Sequence, residues 1–226
     1  MERLDVMKPR KEHEGLAGGK VFLVDDEPSV RRALTRLLRA AGLEVSSFPS
    51  AEALLAEVGP SESGPACVVA DLQMPGLTGL GLQDELSRRG LGLPLLVVTG
   101  HADVPSTVRA MKGGAIDFLE KPVSESALLD GIARALSRHR DLNDTRRQKE
   151  LLEARLERLT PREREVFALV ASGLLNKQVG FELGTTEKTI KVHRARVMEK
   201  MEATSLADLV RMAGRLGITA PPPRAQ

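Results

Sequence analysis

Between residues 20 and 138, short runs of continuous apolar residues alternate with stretches in which apolar positions recur every three or four residues. The runs Lys20 to Asp25 (KVFLVD), Leu43 to Phe48, Cys67 to Asp71, Leu93 to Thr99 (LPLLVVT) and Ala115 to Glu120 predict five strands, the second weaker than the others. The helical spacing predicts a helix from Pro28 to about Ala40, stopped by Gly42, and a short one opening at Ser50-Ala51-Glu52. Further helices are expected over Leu77 to Arg89, over Val104 to Lys112 before Gly113-Gly114, and from Ser124 onward, with Leu128, Leu129, Ile132 and Leu136 on one face. Pro60 to Pro65 reads as a polar loop. Strands without polar alternation are buried on both faces. Five of them alternating with five helices therefore predict an α/β fold, a doubly wound parallel sheet covered on both sides by right-handed crossovers.

The pattern changes after residue 138. Residues 139–158 are strongly charged, lack proline and glycine, and carry leucine only at Leu142, Leu151, Leu152 and Leu156, which predicts a helical linker. Sparse apolar positions leave two uses open, a solvated spacer and a short coiled-coil contact between subunits. At Leu159-Thr160-Pro161-Arg162-Glu163 a new domain opens, with Thr160 as N-cap, Pro161 at the first helical position and Glu163 closing a capping box. The helix should run to Ser172 and end at Gly173. Asn176 is expected to cap a second helix reaching Leu183, Gly184 to turn the chain, and Thr186 to cap a third helix, Glu187 to about Met201. Ser205 should begin a fourth, to about Arg215. Two short helices joined by a tight glycine turn predict a helix-turn-helix unit, so 159–218 reads as an all-α four-helix domain. Residues 1–19 read as a flexible leader and 219–226, with three consecutive prolines, as a disordered tail.

With 226 residues the chain accommodates two domains. No apolar run is long enough to span a bilayer and the first nineteen residues lack a secretory hydrophobic segment, so a cytoplasmic protein without membrane association is expected. The single cysteine, Cys67, lies inside an apolar strand, which excludes an intrachain disulfide and a thiolate metal cluster. A net charge of +2 conceals an asymmetry: residues 20–139 hold 12 Lys and Arg against 15 Asp and Glu, a balance of −3, whereas 161–226 hold 11 against 7, a balance of +4. A basic C-terminal part is compatible with binding phosphate backbones.

In an open α/β sheet ligands bind beyond the carboxyl ends of the strands. Asp71 ends the third strand there, Asp25 and Asp26 follow the first, Thr99 ends the fourth and Lys121 follows the fifth. Taken singly, Asp71 is compatible with a strand end or turn, and Asp25-Asp26 with a helix N-cap. Brought together, three carboxylates need a cation, and all-oxygen ligation suits Mg²⁺. A carboxylate nucleophile, a divalent ion, a hydroxyl and an ammonium are the parts needed to accept a phosphoryl group.

These motifs, DDE in the first turn, D-x-x-M-P-G, TGHAD and FLEKP, make residues 20–138 similar to the receiver domain of two-component response regulators. The resemblance implies a flavodoxin-like sheet in the order 2-1-3-4-5, a sensor histidine kinase as partner, and Asp71 as the phosphoacceptor. It further implies Asp26 as a direct Mg²⁺ ligand with Asp25 assisting through water, the Gln73 carbonyl as a third protein ligand, and Thr99 with Phe118 as a switch pair. Residues 159–218 resemble a LuxR-type domain of the FixJ/NarL class. That likeness implies double-stranded DNA as target, a homodimer formed on phosphorylation, and a recognition helix carrying Lys188, Thr189, Lys191, Val192, His193, Arg194 and Arg196. Lys191 and Val192 would face the groove, and Lys188, Arg194 and Arg196 the phosphates. Gly180 departs from the alanine usual in the family, at an expected cost of about 1 kcal/mol of helix stability. Two other readings stay open at this point. A Mg²⁺-dependent phosphohydrolase is weakened by Gln73 where a second acid is commonly found, and a regulator with an adaptor rather than DNA-binding output differs in its target alone.

Overall fold

The computed structural model describes residues 16–59, 64–100 and 103–218. The expectations for the leader up to residue 15, for loop positions 60–63, for His101 and Ala102 and for the tail 219–226 lie outside the described residues.

Two compact units divide after Asn143. The first holds β1 (Lys20–Val24), α1 (Pro28–Ala40), β2 (Glu44–Phe48), α2 (Ala51–Glu57), β3 (Ala66–Asp71), α3 (Gly79–Arg88), β4 (Leu95–Thr99), α4 (Val104–Lys112), β5 (Asp117–Glu120) and the first part of α5 (Glu125–Glu157). All four strand pairings are parallel and the order is β2-β1-β3-β4-β5. The order reverses at β1, which pairs with both β2 and β3, so the crevice opens between the ends of β1 and β3. Alternate side chains divide the apolar runs between two layers. Phe22, Val24, Val68, Ala70 and Val97 pack with Leu54 of α2 and Leu82 and Leu86 of α3, whereas Val21, Leu23, Val69, Leu96 and Val98 pack with Leu38 of α1 and Leu128, Ile132 and Leu136 of α5. Cys67 belongs to the second layer, where burial pushes its thiol up to about 12.

Several boundaries differ from expectation for identifiable reasons. The helix after β3 starts at Gly79 rather than Leu77, because the Thr78 hydroxyl caps it by accepting from the Gly81 amide at 3.2 Å. β4 and β5 are shorter than their apolar runs, starting at Leu95 and Asp117; Leu93 and Ala115 are buried without being strand residues. Leu16, assigned from sequence to the leader, is only 2% exposed and packs in the second layer. Gly19 passes so close that a Cβ there would lie 2.4 Å from Leu136 Cδ1. At Gly113-Gly114, Gly114 makes the turn at φ +92°, while the space a Gly113 Cβ would fill is taken by the Gln83 amide, which donates to the Ala110 carbonyl at 3.0 Å. His139, assigned to the linker, is 3% exposed, and its Nδ1 accepts the Ala66 amide at the start of β3 at 2.9 Å.

The second unit holds the remainder of α5 with α6 (Pro161–Ala171), α7 (Asn176–Glu182), α8 (Glu187–Met201) and α9 (Leu206–Arg215). Its core gathers Val166, Phe167 and Val170 of α6, Val179 of α7, Ile190 and Val197 of α8 and Leu209 of α9. Leu152, 5% exposed, joins them and Leu156 packs against them, so the end of the charged helix is a wall of this core rather than a plain spacer. Leu142 and Leu151 remain exposed. The capping box forms as expected: the Glu163 amide donates to Thr160 Oγ1 at 3.3 Å and the Thr160 amide to Glu163 Oε2 at 2.9 Å. Asn176 is not the cap of α7. That place falls to Leu175, whose amide donates to Gln178 Oε1 at 2.8 Å, and Asn176 Oδ1 instead accepts from Arg194 Nη1 at 3.2 Å.

Two features of this unit yield predictions. Burial works to raise the Glu163 carboxyl, but the Lys200 ammonium at 2.6 Å and the Thr160 bonds outweigh it and hold it below the ordinary carboxylate range. A depressed folded value stabilises above the unfolded one and loses that contribution as the pH falls through the folded value. Glu163→Gln should therefore cost about 1–3 kcal/mol at neutral pH in urea unfolding, with the gap to wild type closing in acid. At Gly180 a Cβ would lie 2.9 Å from the Thr185 carbonyl oxygen, a backbone atom. The propensity gained by alanine, about 1 kcal/mol, meets a crowding cost of similar size. Gly180→Ala should leave the urea midpoint no higher than wild type.

Candidate functional site

The crevice is built from strand ends. Asp25 follows β1 and is 2% exposed; Asp26 is exposed beside it; Asp71 is the last residue of β3 and half-buried. Each can bring a carboxylate oxygen within 4.8 Å of the other two. Local bonds hold them there. Arg31 of α1 donates to the Asp25 carbonyl at 2.6 Å, and Asp25 Oδ1 accepts the Glu27 amide at 2.9 Å, ahead of Pro28 in the first turn of α1. Asp71 Oδ1 accepts the Gln73 amide at 3.1 Å.

Lys121, after β5, reaches across the sheet end to both acids, with Nζ 2.8 Å from Asp25 Oδ2 and 2.7 Å from Asp71 Oδ2. Burial works to lower its ammonium value, but the bonds to Asp25 and Asp71 prevail and raise it, so it stays charged at physiological pH. Thr99 ends β4 at 1% exposure, and Phe118 of β5 is half-buried against the first apolar layer. Asp26, Asp71, Gln73, Thr99 and Lys121 line one open crevice together with Glu27, Pro28 and Gly100. The structure thus gathers Asp25, Asp26, Asp71, Gln73, Thr99 and Lys121, and sets Phe118 one strand away.

Sequence reasoning assigned no role to Gly79 or Arg31. A Cβ on Gly79 would lie 2.5 Å from the Asp71 carbonyl oxygen, so only glycine lets α3 begin against the backbone of Asp71. Its place in the run PGLTG was a readable signal. The Arg31 contact has no sequence signature beyond a basic residue in the first turns of a helix.

In the second unit, α8 runs from the Thr186 cap, whose hydroxyl accepts the Thr189 amide at 3.2 Å. Ile190, Val197 and Met201 face the core, which leaves Lys188, Thr189, Lys191, Val192 and Arg196 exposed. Lys191 Nζ lies 3.0 Å from Glu187 Oε1 on the same face. Arg194 is half-buried and tied to Asn176 of α7. His193 is half-buried too, and its Nδ1 is buried without a hydrogen-bond partner among the described residues, which suits packing better than base reading. No described helix is long and apolar enough to cross a membrane.

Comparison with known proteins agrees with this geometry. Residues 21–133 match the family model of the response regulator receiver domain, and residues 157–213 that of bacterial regulatory proteins of the luxR family. The chain is 49% identical over 200 residues to Nodulation protein W of Bradyrhizobium diazoefficiens, covering 88% of this chain and 87% of that protein. It is 41% identical over 198 residues to the transcriptional regulatory protein FixJ of Azorhizobium caulinodans, covering 88% and 93%. Among solved structures, the response regulator StyR matches with a TM-score of 0.77 at 44% identity over 88% of this chain and 100% of that one. Full-length FixJ from B. japonicum matches with a TM-score of 0.54 at 40% identity over 89% and 98%. Sheet order, acidic crevice, helix-turn-helix unit and these likenesses converge: the chain belongs to the response regulators and is a phosphorylation-controlled transcription regulator with a receiver domain and a LuxR-type DNA-binding domain.

Proposed function

We propose that Asp71 is the residue phosphorylated, with the phosphohistidine of a sensor histidine kinase as donor. The observation that carries this reading is the meeting of three carboxylates and one ammonium at the ends of β1, β3 and β5. An Asp71 carboxylate oxygen forms the new P–O bond as the P–N bond breaks, and the electron pair of that bond returns to the imidazole nitrogen of the kinase. Lys121, already within 2.7 Å of Asp71, offsets charge on the transferring oxygens. The donor set is all oxygen and fits Mg²⁺, with Asp26, Asp71 and the Gln73 carbonyl as direct ligands and Asp25 acting through water. Bound there, the ion supplies positive charge to the phosphoryl oxygens. Apart from this phosphotransfer and the later loss of the phosphoryl group, we assign the chain no turnover, and we place its work in the cytoplasm with its DNA target.

Phosphorylation replaces the single charge of the Asp71 carboxylate with an acyl phosphate carrying about −2, beside a buried hydroxyl. Thr99 turns toward it, Phe118 follows into the vacated space, and the face of α4, β5 and α5 changes shape. α4 carries Val104, Val108 and Met111 exposed on one side, an apolar row that supports homodimer formation. A dimer presents two copies of α8 to paired half-sites, with Lys191 and Val192 toward the groove and Lys188, Arg194 and Arg196 toward the backbone. His193 packs beneath them.

Acetyl phosphate with Mg²⁺ should modify wild type and leave Asp71→Asn unmodified by intact-mass measurement; equal labelling of both would move the acceptor elsewhere. In gel-shift titrations on an operator fragment, Lys191→Ala should weaken specific binding on the order of tenfold. Wild-type affinity should fall steeply between low and moderate salt. A salt-independent affinity would remove the phosphate contacts from this reading.

A further inference from the structure

The segment 72–78 joins β3 to α3 and carries Gln73, so its path decides where the Gln73 carbonyl stands relative to Asp71. Inside the segment, Met74 is buried in the first apolar layer and the Gln73 amide is tied to Asp71 Oδ1. At its far side the Leu77 amide has no helical partner, because α3 begins two residues later. It donates instead to Oε1 of Glu52, the second residue of α2, at 2.8 Å and across 25 positions of sequence. The same oxygen lies 2.7 Å from the point where Gly76 would carry a Cβ, and Gly76 itself stands at φ +77°. A carboxylate therefore rests on the backbone of the turn at the one place where the turn has no side chain. The Glu52 carboxyl is held below the ordinary range by its own amide, the Leu77 amide and the Ser50 hydroxyl, so it is ionised at neutral pH and a strong acceptor.

From these contacts we infer that Glu52 is a positioning residue for phosphorylation, its carboxylate fixing the Met74-Pro75-Gly76 turn and, through it, the Gln73 carbonyl beside Asp71. The N-cap of α2 does not depend on the Glu52 carboxylate. Glu52 is exposed on α2, and the helix is already capped by Ser50, whose hydroxyl accepts the Ala53 amide at 3.3 Å. Phosphoryl transfer is supported almost entirely by positioning and charge, and a displacement of roughly 1 Å in such a site can cost a hundredfold in rate. The inference rests on the reading of Asp71 as the phosphorylated residue.

The test compares wild type, Glu52→Ala and Glu52→Gln in three measurements: Mg²⁺ affinity by calorimetric titration, the rate of labelling by acetyl phosphate, and amide exchange at Leu77. Glutamine keeps an oxygen that can accept from Leu77, whereas alanine keeps none. Glu52→Ala should weaken Mg²⁺ binding and slow labelling, each on the order of tenfold, and speed exchange at Leu77, while thermal unfolding stays close to wild type. Glu52→Gln should recover most of each loss. An alanine variant equal to wild type in Mg²⁺ affinity and labelling would overturn the positioning role alone. So would a glutamine variant as impaired as the alanine one. A wild type that takes neither Mg²⁺ nor phosphate would overturn the functional reading, and this inference with it.

Discussion

A single ammonium makes the receiver site possible. Asp25 and Asp71 are drawn from two adjacent strands into a partly desolvated crevice with Asp26 beside them, an arrangement that like charges oppose. Lys121, delivered from the end of β5, bonds to the buried Asp25 and the half-buried Asp71 and holds them close. Because β5 lies at the far edge of the sheet, β3 and β4 must stand in register between it and β1 for that reach to succeed. The sheet is thus less a support under the site than the ruler that sets its distances.

The same economy recurs at smaller scale. Three backbone groups in the loops after β1 and β3 are taken up by side chains: the Asp25 carbonyl by Arg31, the Gln73 amide by Asp71, the Leu77 amide by Glu52. Glycine appears where two backbones must touch, at Gly79 against Asp71 and at Gly180 against Thr185. In the DNA-binding unit a buried carboxylate, Glu163, ties the first turn of α6 to Lys200 near the end of α8, so the cap of one helix also fixes the angle of another. Arg194 and Asn176 do the corresponding job between α8 and α7.

Much of this was legible in the order of residues. Continuous apolar runs identified the strands, and acids placed at the ends of two of them pointed to a cation site before any coordinates. Thr160-Pro161-Arg162-Glu163 and Thr186 marked helix starts that the structure keeps. What escaped was long-range in kind. Asn176 looked like a cap because caps are judged from neighbours in sequence, and its partner Arg194 lies eighteen residues on. Leu16 and His139 looked like leader and linker because one sits in a glycine-rich run and the other among charged residues, yet each packs against an element far along the chain. Glu52 was legible only as part of a helix start, since one acid on an exposed helix face is ordinary until the turn it holds is seen.

The burial of Leu152 and the packing of Leu156 against α6 and its neighbours have an evolutionary corollary. A recombination event that joined a new receiver to this output domain at the start of α6 would strip one wall from its core. The inherited cassette must begin two turns earlier, inside a helix that looks, residue by residue, like mere connecting rod.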